Sequence, residues 1–149
     1  MDDPHDLHRF VTAQEGDYAQ ALQEIQSGRK RSHWMWYIFP QVAGLGFSSM
    51  SQRYAIQSLA EAKAYLTHPL LGPRLTAIAE AAFAVEGRSA HDIFGDPDDM
   101  KLRSCATLFT QVSPPGSVFH RLLDKYFQGK SDGDTLRLLG IGTEGGDEP

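Results

Sequence analysis

Apolar side chains recur at every third or fourth position along most of this chain, a spacing typical of helices with one buried face. In the first third, Asp17 is a predicted N-cap, and Gly28 ends the helix that follows it. A shorter helix is predicted before it, with Asp6 as its cap and Gly16 as its end. The longest stripe has its apolar positions at Leu71, Leu75, Ile78, Ala82 and Val85. The pattern predicts a mainly helical protein.

Capping and breaking residues indicate where the other helices begin. Ser58 and Glu61 form a capping-box sequence, and Asp96-Pro97 predicts an N-cap followed by proline at the first helical position. Ser117 and Asp134 are the predicted N-caps of the last two helices. These signals predict about seven short helices joined by tight loops, whereas a regular bundle needs longer helices. The expected fold class is therefore all-α, as a single compact and irregular domain.

One segment without a polar face, residues 32–39, interrupts the helical pattern and contains both tryptophans, Trp34 and Trp36. Aromatic and β-branched residues favour strands, but a short buried helix shows the same lack of alternation. Because no other segment offers a convincing partner strand, we predict a short buried helix that ends before Pro40. Both indoles are expected to fill the core where the helices converge. Residues 42–51, rich in glycine and serine, are predicted to form a loop.

The length of 149 residues and the hydrophobic content of 41% suit one compact domain. We expect a disordered N-terminus over residues 1–6, a single domain over residues 7–139 and an acidic disordered tail over residues 140–149. The single cysteine, Cys105, excludes an internal disulfide and lies on an apolar stripe, where a buried inert thiol is expected. No apolar run approaches the roughly 20 residues of a membrane-spanning helix. Since the first residues also lack signal-peptide features, we expect a cytoplasmic protein without membrane contact.

The formal net charge of -5 is unevenly distributed along the chain. Six of the 19 acidic residues lie in the two end segments, which leaves the predicted domain close to neutral. A near-neutral domain argues against a general nucleic-acid-binding surface. The only group of three consecutive cations is Arg29-Lys30-Arg31. This cluster is either a solvated turn or a group that meets a phosphate or a carboxylate.

Three features besides this cationic cluster are candidates for chemistry. Residues 44–51 have the composition of an anion-binding loop, although they match neither the dinucleotide nor the Walker fingerprint, and a plain flexible loop is the alternative. His33 is either a hydrogen-bonded core histidine or a proton donor in a pocket. Asp96 and Asp98 suit a helix start, where the dipole favours acids, or they face the cationic cluster as candidates for a general base. The histidines lack metal-ligand spacing, so no metal site and no cofactor are indicated.

These features favour the hypothesis of a pocket where the cationic cluster and the tryptophan segment meet the glycine-rich loop. The expected ligand is a small anion such as a nucleotide, because aromatic and cationic groups suit a base and a phosphate. Were the ligand hydrolysed, His33 would be the first candidate for proton transfer, with Asp96 or Asp98 as the second. The alternative is a non-enzymatic protein-interaction module whose basic turn docks an acidic partner. The predicted ligand-binding residues are Arg29, Lys30, His33, Trp36, Gly44, Gly46, Ser48 and Ser51.

Several short motifs in the chain are distinctive. They include Phe10-Val11-x-Ala13-Gln14, Lys30-x-Ser32-His33-Trp34-Met35-Trp36, Phe39-Pro40-Gln41, Gly44-Leu45-Gly46, His68-Pro69-Leu70-Leu71-Gly72, Phe94-Gly95 and Thr107-Leu108-Phe109. Together they resemble a widespread, mainly bacterial domain family of unknown function, whose members are sometimes labelled calpastatin-like. The resemblance extends over about residues 7–135, and the Ser-His-Trp-Met-Trp block is its most specific part. It implies a compact all-α fold, with no established activity and no cofactor.

Overall fold

A computed structural model describes residues 3–141 as ten helices connected by short turns. Their bounds are α1 His8–Gln14, α2 Tyr18–Gln26, α3 Met35–Ile38, α4 Ser49–Arg53, α5 Leu59–Thr67, α6 Leu71–Ala84, α7 Ala90–Phe94, α8 Asp98–Thr110, α9 Val118–Phe127 and α10 Gly133–Leu138. The predicted all-α class is confirmed, with ten helices in the described residues where about seven were expected. Most helices have only one to three turns, so the arrangement is irregular, as expected.

The predicted end segments lie partly outside the described residues. Residues 1–2 of the expected N-terminus and residues 142–149 of the expected acidic tail lie outside the residues that the structure describes. The predicted bounds of the domain, residues 7–139, therefore stay a prediction. In the part of the chain that the structure describes, no helix combines the length and apolar character that crossing a bilayer requires.

Helix α8 lies in the middle of the domain and packs against α5, α7, α9 and α10. Seven of its 13 residues are buried, and they occupy more than one face. A helix that is buried on several sides needs neighbours on several sides, and the short surrounding helices supply them. The longest helix, α6, packs against α2, α5 and α9. These two helices form the frame on which the shorter helices are arranged.

Trp34 lies in the aromatic core and is only 1% exposed. The Trp34 and Phe39 rings lie 6.2 Å apart, and Phe39 packs edge-on against Phe94 at 5.6 Å. These contacts join the tryptophan segment to α7. Trp36 is only partly buried, so the expectation that both indoles fill the core is wrong for Trp36. Residues two positions apart near a helix do not share a face, which explains why the two rings point to different surroundings.

The tryptophan segment and the following loop differ from their predicted forms in detail. The expected helix over residues 32–39 is present as the four residues of α3. The predicted loop over residues 42–51 is wrong at its end, because α4 begins at Ser49. Ser48 is the N-cap of α4, and its hydroxyl accepts a hydrogen bond from the Ser51 N–H. Before α4, Val42 forms an isolated parallel β-bridge with Ile56.

The prediction that Asp6 caps α1 is wrong. Asp6 has a left-handed φ of 51°, rather than the extended backbone typical of an N-cap. The Asp3 carboxylate instead accepts hydrogen bonds from the N–H groups of Leu7 and His8, at 2.8 and 3.0 Å. The bonds from His8 and Leu7 lower the pKa of Asp3. An acid three residues further upstream thus stabilises the first turn of α1.

Two later N-caps also differ from their predictions. Asp96 is exposed and does not cap α8, which begins two residues later at Asp98, because the proline after Asp96 occupies the N-cap position. Asp134 does not cap α10. Asp132 does so, since its carboxylate accepts a hydrogen bond from the Thr135 N–H at 3.1 Å. Each error is a shift of one or two residues within a correctly predicted turn.

Three predicted N-caps are confirmed. Asp17 is the N-cap residue of α2, although its side chain makes no cap hydrogen bond. The hydroxyl of Ser58 accepts a bond from the Glu61 N–H at 3.1 Å, and Ser117 caps α9 in the same way. The Glu61 carboxylate does not complete the predicted capping box. It is buried and pairs with Arg9 at 2.8 Å, which joins α5 to α1.

Candidate functional site

Four of the predicted ligand-binding residues line one concave surface, which we call the groove. These residues are Trp36, Gly44, Gly46 and Ser51, and the depression that they line has a volume of about 350 Å³. Ser48 does not line it, but the Ser48 hydroxyl bonds to the Ser51 hydroxyl at 2.9 Å. Other side chains that contribute to this part of the groove are Gln41, Leu45, Gln52, Tyr54 and Gln57.

The groove continues into a second lobe of about 300 Å³. Gln41, Leu45, Gly46 and Ser51 belong to both lobes, so the two form one continuous depression. Lys101 of α8 lines the second lobe but was missing from the predicted site. The only available sequence signal for Lys101 was its position one turn after Asp98, which does not show what the side chain faces.

Backbone contacts between distant residues shape the groove. The Ile56 N–H donates to the Gln41 carbonyl, and the Ala43 N–H donates to the Ile56 carbonyl, both at 2.8 Å. These bonds hold the start of the glycine-rich segment beside the residues that follow α4. At Gly46, a β-carbon would lie 2.6 Å from the Ser51 hydroxyl oxygen. Gly46 therefore lets the chain approach α4 closely at the point where the two lobes meet.

Two lysines and two indoles surround a single carboxylate beside the groove. The Lys101 Nζ lies 5.5 Å from the centroid of the Trp36 ring and 3.5 Å from a carboxylate oxygen of Asp98. The other oxygen of Asp98 pairs with the Lys30 Nζ at 2.8 Å, and Lys30 in turn lies 5.0 Å from the Trp34 ring centroid. Asp98 therefore both begins α8 and faces the cationic cluster, so the two alternatives for its position hold together, while its role as a general base stays a prediction. Asp98 is thus the shared counter-ion of two lysines.

The remaining candidates do not line the groove. Arg29 and Lys30 line a different surface depression, and they are brought together there with Arg88. His33 is exposed, so the alternative of a hydrogen-bonded core histidine is wrong. Neither His33 nor Asp96 lines the groove or that depression. The ligand-binding and catalytic roles of all these residues stay predictions.

The sequence reasoning missed Glu24, an almost buried acid that is 6% exposed. Burial alone opposes ionisation of Glu24, but hydrogen bonds from Ser32, Arg31, Trp34 and Gln20 outweigh that effect and lower its pKa to about 2. The carboxylate accepts five hydrogen bonds in all. The donors are the backbone N–H groups of Arg31 and Ser32 at 2.8 and 3.0 Å, the Ser32 hydroxyl at 2.7 Å, the indole N–H of Trp34 at 2.9 Å and the side-chain amide of Gln20 at 2.9 Å. Glu24 thereby fixes the chain between the cationic cluster and the tryptophan segment.

A sequence signal for Glu24 does exist. It lies three residues after Ala21 and directly before Ile25, both fully buried, so it falls on the apolar stripe of α2. A carboxylate on a buried stripe requires donors, and the nearest unassigned donors in the sequence are in residues 29–34. That argument identifies a structural acid rather than a catalytic one.

Other buried ionisable groups have structural surroundings. The Tyr37 hydroxyl donates to Asp17, and burial together with this bond raises the pKa of Tyr37 well above its usual value. Cys105 is buried as predicted, and burial raises the pKa of its thiol. Across residues 3–141, no group of three His, Cys, Asp or Glu side chains is arranged to hold a metal ion.

Comparisons with known proteins agree with this fold. The crystal structure of a conserved hypothetical protein from Mycobacterium tuberculosis is similar to this chain, with a TM-score of 0.91 and 50% sequence identity over 93% of this chain and 99% of the other. No curated protein matches the chain significantly. The family described as protein of unknown function (DUF1810) matches residues 4–139. That match covers nearly the whole chain, and the protein therefore belongs to the DUF1810 family.

Proposed function

We propose that this domain binds a small ligand with a planar group and an anionic group, such as a nucleotide, in the two-lobed groove. The observation that supports the proposal is the pairing of Trp36 with Lys101, whose ammonium lies 5.5 Å from the indole centroid. Trp36 lines the first lobe and Lys101 lines the second. An accessible indole stacks on planar groups, while an ammonium attracts an anion. One ligand that spans both lobes would use both.

Two acids, Asp132 and Asp134, line the second lobe together with Lys101. Both have partners within the domain, since Asp132 accepts a hydrogen bond from the Thr135 N–H and Asp134 pairs with Arg137.

The size of the groove suits a small ligand. Its lobes of about 350 and 300 Å³ fall in the usual range for small-molecule sites. Gln41 and Gln57 line the first lobe, and their side-chain amides make no hydrogen bonds within residues 3–141. Each amide offers both donors and an acceptor. These groups are available for the polar edges of a ligand, which would set its orientation.

The proposal is for binding and includes no chemical step. Of the catalytic candidates, His33 and Asp96 do not line the groove. Asp98 pairs with Lys30 through one oxygen and lies near Lys101 through the other. Both oxygens of Asp98 are thus engaged by lysines, and Asp98 does not line the groove either.

A protein-interaction role is a second candidate, and exposed apolar side chains near the groove favour it. Phe47, in the loop between the groove-lining Gly46 and Ser51, is 83% exposed. Met100, which lines the second lobe, is 44% exposed, and Leu138, which lies against Gly44, is 48% exposed. Exposed apolar groups of this kind are typical of surfaces that contact a partner.

Tryptophan fluorescence and thermal shift test the proposal. Nucleotides and sugar phosphates are first screened for stabilisation, since a ligand at one hundred times its Kd adds ~2.7 kcal/mol to the free energy of unfolding. A ligand that stacks on Trp36 should quench its fluorescence, and Trp36→Phe should remove that signal while keeping a ring in place. Lys101→Gln should weaken binding about fivefold or more, whereas Lys63→Gln, an exposed cation on α5, should not.

Two outcomes would contradict the proposal. One is a screen in which no anionic ligand raises the melting temperature, which would leave the protein-interaction role as the better candidate. The other is a ligand whose affinity is the same for wild type, Trp36→Phe and Lys101→Gln, because such a ligand would bind elsewhere.

A further inference from the structure

A second concave surface, which we call the basic depression, lies between the turn after α2 and helix α7. It has a volume of about 420 Å³ and shares no lining residue with the groove. Its ionisable side chains are Arg29, Lys30, Arg88, His91 and Asp92. Three permanent cations and a histidine thus surround one carboxylate, so the depression has an excess of positive charge.

Local packing brings the two arginines of the depression together. The Lys30 N–H donates to the Ile93 carbonyl at 2.7 Å, which fixes the turn after α2 against α7. At Gly28, where φ is 86°, a β-carbon would lie 3.2 Å from the Arg88 Nε and 3.3 Å from its Cδ. The Arg88 side chain therefore packs against Gly28. Arg29 is the next residue in the chain after Gly28, and it lines the same depression. Glycine at position 28 permits both the backbone conformation and this close approach.

Some charged groups in the depression have ion-pair or hydrogen-bond partners, and others have none. The Lys30 ammonium pairs with Asp98 at 2.8 Å and also donates to a backbone carbonyl. The Asp92 carboxylate accepts a hydrogen bond from the Ser89 N–H in the capping box of α7. Arg29 and Arg88, by contrast, have exposed side chains with no hydrogen bond or ion pair to any residue within 3–141.

Most other arginines of this domain have partners. Arg9, Arg121 and Arg137 pair with carboxylates, and Arg103 donates to two backbone carbonyls. Arg53 donates to the Tyr54 hydroxyl and Arg74 to the side-chain oxygen of Gln14, both at 3.2 Å. Among the residues that the structure describes, three arginine side chains make no hydrogen bond or ion pair; two of them, Arg29 and Arg88, lie in this one depression, and Arg31 is the third. Guanidinium groups that have no hydrogen-bond partner and lie beside an imidazole favour the binding of an oxyanion.

We propose that Arg29 and Arg88, together with His91, bind the phosphate group of a small ligand in the basic depression. Each guanidinium offers a planar pair of N–H donors that matches two phosphate oxygens. The His91 Nδ1 lies 3.4 Å from an Asp99 oxygen, and its other ring nitrogen is the one assigned to the ligand. This site is independent of the groove, and its existence does not require the groove to bind anything.

Titration of the full chain with inorganic phosphate at constant ionic strength tests the site. Amide resonances of residues 29, 91 and 95 should shift in a saturable way in two-dimensional NMR spectra. Arg29→Ala and Arg88→Ala should each weaken binding about tenfold or more, and Arg88→Lys should weaken it less, because it keeps the charge but loses the planar pair of donors. Arg31→Ala is the matched control, since Arg31 is also an exposed and unpartnered neighbour but lies outside the depression.

The outcomes separate this site from the groove and from nonspecific charge. Trp36→Phe, which alters the groove without changing a charge, should leave the phosphate affinity of the depression unchanged, even if the groove binds no ligand. A titration without saturable shifts at these amides would overturn the proposal. So would an equal loss of affinity in Arg31→Ala and Arg29→Ala, because that result would mean a general effect of net charge. Both Arg29 and Arg88 are exposed, so their variants should keep the wild-type melting temperature.

Discussion

Glu24 decides the local structure of the segment on which both candidate sites depend. Its carboxylate accepts bonds from two consecutive backbone N–H groups, at residues 31 and 32, and from the buried indole of Trp34. An indole N–H that lost this partner would be left unsatisfied in the core, which costs about 1–3 kcal/mol. Glu24 therefore links the position of Trp34 to the course of the chain after the cationic cluster.

We predict that Glu24 makes stability depend on pH in the acid range. Its pKa is about 2, compared with an ordinary value of 4.5. Because the folded-state pKa is lowered, the stabilisation is complete above pH 4.5 and is lost as the pH falls towards 2. A shift of this size corresponds to about 3 kcal/mol of unfolding free energy. Urea unfolding at a series of pH values measures this loss.

Glu24→Gln should be less stable than wild type near neutral pH by about 3 kcal/mol, and the difference should shrink as the pH approaches 2. Glu15→Gln, an exposed acid at the end of α1, should unfold like the wild type at every pH. A constant stability difference between Glu24→Gln and wild type from pH 7 to pH 2 would show that the carboxylate charge contributes nothing.

At the scale of elements, α5 and α6 approach each other most closely at Gly72. No other glycine of the described residues lies so close to the backbone of another segment. A β-carbon on Gly72 would lie 2.0 Å from the Leu66 carbonyl oxygen. The turn between these helices is stabilised by His68, whose Nδ1 accepts hydrogen bonds from the N–H groups of Leu70 and Leu71. An acceptor at the start of α6 satisfies donors that have no partner inside the helix.

We predict that Gly72→Ala destabilises the protein by about 3 kcal/mol, because the methyl group can be placed only by separating α5 from α6. Gly133→Ala is a suitable control, since Gly133 also lies in the first turn of a helix and has no atom within 4 Å of the added carbon. Chemical unfolding compares the two variants. Equal stabilities of Gly72→Ala and Gly133→Ala would mean that the two helices separate at little cost.

At the scale of the whole molecule, Asp98 joins the groove to the basic depression. Lys101 lines the groove and Lys30 lines the depression, and both contact the same carboxylate, at 3.5 and 2.8 Å. The two lysines lie over different indoles, one in the groove and one in the core. Asp98 therefore lowers the positive charge that either lysine presents to an anion.

We predict that Asp98→Asn raises the affinity of the groove for an anionic ligand about two- to fivefold, the factor expected for release from a partly exposed ion pair. Fluorescence titration of Trp36 measures the change. Asp124→Asn, an exposed acid on α9, alters the net charge equally and should leave the affinity unchanged. Weaker binding by Asp98→Asn would mean that Asp98 positions Lys101 instead of competing for it. This prediction depends on the proposed function of the groove.

Local signals account for what was predicted correctly. The helical class, the caps at Ser58 and Ser117, and the burial of Trp34 and Cys105 follow from side-chain spacing and capping chemistry. The errors at Asp6, Asp96 and Asp134 are also local, because several acids compete within each turn and the choice depends on backbone angles that sequence spacing does not define.

By itself, the sequence determined that this is a helical domain and that the tryptophan segment and glycine-rich loop are its distinctive parts, because these properties depend on residues within a few positions of each other. Only the tertiary structure decided that Trp36 faces a groove with Lys101, and that Arg29 lies beside Arg88 in a separate depression. Those neighbours are roughly 60 residues apart in the chain. Their proximity results from the packing of α2, α7 and α8 around the core, which a one-dimensional pattern does not contain.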